Sequence, residues 1–251
     1  MTLEILTSDT LGPLRHGFFT RRGGASSGVF NGLNCGFGSS DQSEIVRINR
    51  ARVAESLGVA PEALITVHQT HSADVVTVTS HDQAFPEADG LVTNQPGLVL
   101  GVLTADCQPV LFSDPEAGVI GAAHAGWRGA LDGVLDATVD AMVALGATRG
   151  AIRAVIGPSI SQRAYEVGPE FLETFVAEDP DNTRFFANGE GDRYQFDLPS
   201  YGLHRLRAAG VGEAEWIRHC TYSDAARFYS YRRSVHAGEA DYGRLISAIR
   251  L

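Results

Sequence analysis

Three short segments carry side chains able to ligate a soft or borderline metal. They are VHQTHSADV (residues 67–75) with His68 and His71, TADCQPV (104–110) with Cys107, and AAHAGWRG (122–129) with His124. Each places its polar group where an apolar run stops. The separations are unlike those of a zinc finger, whose ligands come in tight pairs, and fit a site assembled from neighbouring strand ends. A thiolate and two imidazoles suit Zn²⁺, with Cu²⁺ as the other occupant. Three protein ligands leave the fourth tetrahedral position open, as in a catalytic zinc centre. His68 and His71 compete for one ligand position, and spacing does not choose between them.

The same residues offer a different chemistry. Cys107 is a candidate nucleophile, with His124 or His71 as its base and Asp106 or Gln108 to orient it. Taken singly, each residue has a plainer reading: a buried Cys is usually an inert small hydrophobe, and a His in an apolar run is usually a hydrogen-bonded core residue. The coincidence of three such segments favours a site. Burying Asp106, Cys107 and Gln108 without partners costs on the order of a few kcal/mol each, so hydrogen bonds or a metal must compensate them.

Two further segments are candidates for holding an anion. TRRGGASSG (20–28) sets Arg21 and Arg22 against a Gly-rich turn, and Arg128 lies in the first turn of a predicted helix. An ordinary surface turn is the plainer reading of the first. Residues 24–28 match GxSxG, but no amphipathic helix follows, so a serine-hydrolase elbow is excluded. Glu166, ahead of the helix-starting Pro169, is a candidate acid or base, or simply a helix-entry carboxylate.

The elements that must position these residues are strands at 63–67, 74–79, 97–103, 109–112 and 118–124, and a helix over 41–58 with Asp41 and Glu44 at capping-box spacing. A long helix is predicted over 126–145, where Leu131, Val134, Leu135, Thr138, Val139, Met142 and Val143 form one stripe. A strand at 151–157, helices from Pro169 and over 198–209, a polar loop at 178–193, and strands at RFYSYRR (227–233) and GRLISAIRL (243–251) complete the chain. Helices and strands mix without strict βαβ alternation and without GxGxxG. The expectation is therefore an α+β fold, a layered α/β sandwich with a mixed sheet, built as a single domain over 1–251. A net charge of −10 argues against nucleic acid or an anionic membrane as the main partner. Three widely spaced cysteines and the lack of a leader-like N-terminus or spanning apolar run suggest a cytoplasmic protein with reduced thiols.

TRRGGASSGVFNGLNCG, HQTHSADV, ADGLV, TADCQPVLF, AAHAGWRG, IGPSISQRAYEVGPEF and CTYSDAARFYSYRR occur in this order along nearly the whole chain. Together they closely resemble the laccase-domain, or polyphenol oxidase, family, also called the purine nucleoside phosphorylase / peptidoglycan editing factor family. The resemblance implies zinc held by His71, Cys107 and His124. It also implies phosphorolysis of adenosine, inosine, guanosine and methylthioadenosine, together with adenosine deamination. Purine nucleoside and phosphate would be the partners, with Arg22, Arg128 and Glu166 as candidate contacts and Cys107, His124 and Asp106 as candidate catalytic groups. A multicopper oxidase needs a His₂Cys site and about eight further histidines for its cluster. This chain has eight in total and no HxH pair, so only weak oxidation by substituted copper fits. GLNCG stands where the family commonly has SLNLG, and DLPSYGLHRL lacks the family's Asn, so no role is carried onto that helix. A cysteine hydrolase editing peptidoglycan precursors and a zinc-stabilised binding protein are the competing readings.

Overall fold

Two β-sheets packed face to face form the centre of the computed structural model, which describes residues 2–251. The larger sheet has six strands in the spatial order Glu213–Trp216, Arg153–Ile156, Gln108–Asp114, Val119–Ala125, Gly90–Thr93 and Val75–Thr77. The second has five, in the order Ile5–Leu6, His16–Phe19, Leu245–Arg250, Val99–Thr104 and Leu64–Ile65. Both mix parallel and antiparallel pairs. A three-stranded sheet of Glu166–Val167, Tyr194–Phe196 and Phe186–Asn188 stands apart from these.

Strand alternation produces the layers. Leu91, Leu111, Ile120, Ala122 and Val155 point from the six-stranded sheet into a core shared with Phe18, Leu100, Val102 and Ile249 of the other. Their neighbours Val92, Val110, Phe112, Val119 and Ala123 point the opposite way, onto the helical stripe of Val134, Leu135, Val139 and Met142. The far face of the five-stranded sheet packs Phe19, Val99 and Ile246 against Val53 and Ala54 of the helix Ser43–Ser56 and against Leu57, which caps its C-terminus. The expected α+β sandwich is thus helix, sheet, sheet, helices. The central strands are buried on both sides, which is why they read as continuous apolar runs.

Three local expectations are corrected. The helix expected over 126–145 is two, Trp127–Asp132 and Val134–Ala144, separated by Gly133 at φ 100°, and Val143 of its stripe is exposed. Arg205 caps the break by donating to the carbonyls of Ala130 (3.1 Å) and Leu131 (2.9 Å). RFYSYRR is not a strand: Tyr231–Ala237 is helical because the Ser230 hydroxyl accepts from the Arg233 amide (3.2 Å) at its N-cap. The Asp41–Glu44 capping box does not form either. The helix begins after Gln42, and Asp41 instead accepts from Ser26 (2.6 Å) and Asn34 (3.0 Å). The loop at 178–193 contains a 3₁₀ turn, Pro180–Phe185, and the strand Phe186–Asn188. No helix among the described residues is long and apolar enough to cross a membrane.

Candidate metal centre

Strand register brings the ligands together. Gln108 pairs with Ala125 and Pro109 with His124, so Cys107, one residue before its strand, lies opposite Gly126 and beside His124. On the other side of the same strand Gly90 pairs with Ala123, which sets Asp89 next to His124. The His124 amide donates to the Asp89 carbonyl (2.8 Å), and His124 Nδ1 meets Asp89 Oδ1 at 2.7 Å. That hydrogen bond occupies Nδ1 and leaves Nε2 for the site.

The third ligand comes from a loop. Asp89 Oδ2 accepts from the amides of Thr70 (3.0 Å) and Ser72 (2.7 Å) and from the Ser72 hydroxyl (3.1 Å). These bonds grip both sides of His71, whose φ of 64° is uncommon for a residue bearing a Cβ. The Gln69 side chain docks the same loop by exchanging two 2.8 Å hydrogen bonds with the Leu103 amide and carbonyl. One buried carboxylate therefore orients two of the three ligands.

His71 Nε2 lies 3.9 Å from Cys107 Sγ, the two imidazoles meet edge to face with centroids 4.7 Å apart, and the three ligand atoms lie within 4.8 Å of one another. Tetrahedral zinc, with Zn–N near 2.0 Å and Zn–S near 2.3 Å, places such atoms roughly 3.5 Å apart, so this donor set fits with a small contraction. Gly126 keeps the space open: a Cβ there would fall 2.9 Å from His71 Cδ2 and 3.0 Å from Cys107 Sγ.

The electrostatics suit the donors. Burial raises the Cys107 thiol, but the charge and hydrogen bond of His124, followed by those of His71, bring it down to about 7. Burial lowers His124, yet the Cys107 charge and the Asp89 hydrogen bond bring it up to about 9. Burial likewise raises the Asp89 carboxyl, but the hydrogen bond and charge of His124 and the amides of Ser72 and Thr70 pull it to about 2. Both shifts favour the thiolate and imidazolium forms of the pair, and a metal cation would take the place of the imidazolium proton.

Of the remaining predicted residues, Glu166 is near the triad, lining a cavity of about 610 Å³ that opens on His71 and Cys107 among Trp127, Tyr165, Phe171 and Tyr231. Asp106 also borders it, in a turn at φ 88°, but its carboxylate is occupied: Oδ1 accepts from Thr221 (2.6 Å), and Oδ2 from Ser230 (2.9 Å) and the Arg232 amide (2.7 Å). These bonds account for its burial and make it an anchor of the Cys107 turn. Neither Arg22 nor Arg128 lines the cavities that meet at the triad. Arg22 pairs with Glu4 (3.5 Å) and borders a separate surface depression, while Arg128 is exposed with its guanidinium over Trp127. His68 pairs with Glu87 (3.8 Å) and is not among the three donors that converge, which makes His71 the candidate ligand.

A second cavity, of about 490 Å³, shares His71, Ala105 and Cys107 with the first, is lined also by His124, and contains Arg50 and Arg244. Sequence reading missed these arginines, because an Arg in an amphipathic helix or at a strand start reads as a solvated charge. It also missed Asp89, although a carboxylate abutting the buried run GLVT carries the same signal as Asp106.

Residues 15–251 match the family described as multi-copper polyphenol oxidoreductase laccase. A Deinococcus radiodurans protein named purine nucleoside phosphorylase is 42% identical over 238 residues, covering 94% of this chain and 88% of its own. The Escherichia coli purine nucleoside phosphorylase YfiH is 37% identical over 219 residues, covering 87% and 88%. Among solved structures, Bacillus licheniformis hypothetical protein YfiH superposes with a TM-score of 0.90 at 31% identity over 98% of this chain and 96% of its own. YlmD from Geobacillus stearothermophilus gives 0.87 at 30% over 97% and 93%. With the laccase-type match running to the last residue and relatives this similar over most of their length, the chain belongs to the multi-copper polyphenol oxidoreductase laccase family.

Proposed function

We propose that the protein is a zinc-dependent purine nucleoside phosphorylase acting on adenosine, inosine, guanosine and methylthioadenosine, and that the same site deaminates adenosine. The observation that carries this reading is the convergence of His71, Cys107 and His124, with His71 and Cys107 opening onto a cavity walled by Trp127, Tyr165, Phe171 and Tyr231, aromatic faces on which a purine would stack. The names of the relatives support the same class of reaction. Bound at the three ligands, zinc would supply Lewis-acid polarisation of substrate atoms.

The chain's own groups do the rest. Asp89 fixes the His124 tautomer and the His71 loop, and Asp106 ties the Cys107 turn to residues 221–232. Proton transfer to the departing base is assigned to Glu166, which borders the cavity and makes no side-chain hydrogen bond among the described residues. A multicopper cluster gains no support: among the described residues the triad is the one group of three His, Cys, Asp or Glu side chains placed to hold a metal. The depressed Cys107 thiol beside two imidazoles favours a cysteine hydrolase as the second reading.

The deciding experiment is chromatographic detection of free base and ribose 1-phosphate from adenosine and inosine, with and without phosphate, in zinc-loaded wild type and Cys107→Ala. Phosphate-dependent product lost in the variant supports the phosphorylase. Its absence from the wild type overturns that reading and moves the assignment to the hydrolase.

A further inference from the structure

The cavity that His71, Cys107 and His124 all line has a different character from the aromatic one. Its walls carry Arg50 and Arg244, and no Asp or Glu contributes to them. Arg50 comes from the helix Ser43–Ser56 and lies partly buried, donating to Thr66 Oγ1 (2.8 Å) and the Cys35 carbonyl (3.3 Å) beneath the Phe37 ring. Among the described residues no carboxylate pairs with it. Arg244 lies over the Tyr242 ring with its centroid at 4.2 Å, shares Asp241 at 3.2 Å, and crosses Gly36, where a Cβ would fall 2.4 Å from its Cδ. A partly buried guanidinium held by neutral acceptors alone leaves its charge uncompensated, and anion binding compensates it.

An independent observation comes from Thr104, which borders the same cavity. Its residue is 2% exposed, and its hydroxyl has no hydrogen-bond partner. A buried hydroxyl without a partner costs about 1–3 kcal/mol, and native structures rarely leave one unless a ligand or water completes it.

We propose that this cavity is an oxyanion site for inorganic phosphate, held by Arg50, Arg244 and the Thr104 hydroxyl, and that phosphate and nucleoside enter the centre from opposite sides. The second clause rests on the phosphorylase reading. Displacement at ribose C1′ requires nucleophile and leaving group on opposite faces of that carbon, and the two cavities meet only along the shared wall of His71, Ala105 and Cys107. A phosphate oxygen on the arginine side forms the new C1′–O bond. The C1′–N9 bond breaks with its electron pair going to the purine on the aromatic side, and the proton of hydrogen phosphate ends on the purine. The products are ribose 1-phosphate and free base, with the total charge unchanged.

The test is calorimetric titration of inorganic phosphate into zinc-loaded wild type, Arg50→Gln, Arg50→Lys, Arg244→Gln and Thr104→Val at matched metal content, with folding checked by circular dichroism. Saturable binding to the wild type, weakened at least tenfold by Arg50→Gln, partly restored by Arg50→Lys and weakened severalfold by Thr104→Val, is expected. In steady-state phosphorolysis the same variants raise KM for phosphate and leave KM for inosine within about twofold. No saturable binding in the wild type overturns the site, as does unchanged affinity in every folded variant. Phosphate binding that depends on Arg50 in a wild type that releases no base keeps the oxyanion site and removes the phosphorylase reading and the opposite-side entry built on it.

Discussion

Replacing Asp89 with Asn tests the claim that one carboxylate organises the centre. Asp89 accepts four hydrogen bonds, from His124 Nδ1 and from Thr70 and Ser72. An amide has only one acceptor oxygen. If its NH₂ faces the Thr70 and Ser72 amides, their donors lose a partner; if it faces His124, the ring must accept at Nδ1, which moves the proton to the nitrogen that should bind metal. Losing such an orienting carboxylate typically costs about 10- to 100-fold in metal affinity, roughly 1.4–2.7 kcal/mol. A second magnitude follows from the acidity of Asp89. Its folded value of about 2 lies below the unfolded carboxylate value, so its stabilisation is present at neutral pH and is lost as the pH falls from near 5 towards 2. That difference corresponds to about 2.5 kcal/mol at neutral pH. At about 2–4 °C per kcal/mol for a chain of this size, metal-free Asp89→Asn melts roughly 5–10 °C below metal-free wild type at pH 7, and the gap closes in acid. The assays are chelator competition at fixed pH and melting curves of the metal-free proteins across pH. Asp89→Asn retaining wild-type metal affinity, or a melting gap that persists unchanged at pH 2–3, refutes the reasoning.

Other consequences are equally specific. Metal-free wild type should react with iodoacetamide at Cys107 at a rate that rises through about pH 7, while zinc protects it; mass spectrometry of the alkylated peptide reads both, and indifference to zinc argues against the metal site. Gly126→Ala introduces a methyl about 3 Å from two ligands, so metal affinity should fall at least tenfold while circular dichroism stays that of a folded protein; stoichiometric zinc by elemental analysis at wild-type affinity would contradict the packing argument. Asp106→Asn tolerates the positive φ but weakens the bonds to Thr221, Ser230 and Arg232. It should lower stability by about 1–3 kcal/mol and leave kcat within tenfold, whereas a loss of about 10²–10⁴ in kcat at intact metal content would make Asp106 an acid–base group after all.

The sequence disclosed the strands and the ligand segments because burial on both faces writes them as apolar runs, and a His or Cys ending such a run stands out. His124 and Cys107 stood out as candidates for that reason, and the fold brings them together with His71. The choice of His71 over His68 was not legible from spacing: it depends on Asp89, whose partners at positions 70, 72 and 124 are remote in the chain but adjacent by register. Arg50 was hidden by its helix, since the pattern marks it as polar without saying that Phe37 and Thr66 close over it. The misreadings have equally local causes. Gly133 breaks a stripe that stays in phase across it, and Ser230 starts a helix in a stretch rich in aromatic residues that favour strands.

The Gln69 side chain joins Leu103 as a further peptide unit would, closing a ladder that the backbone leaves incomplete. With Asp89 holding residues 70 and 72, the His71 loop is stapled by protein alone. An ion held by His71, Cys107 and His124 would therefore enter a socket rather than act as a clasp, and its removal is expected to leave the layers standing. In a zinc finger the free energy of binding is the free energy of folding. Here the two would be separate, so Cd²⁺ or Co²⁺ is expected to bind the folded, metal-free protein without a change in its circular dichroism.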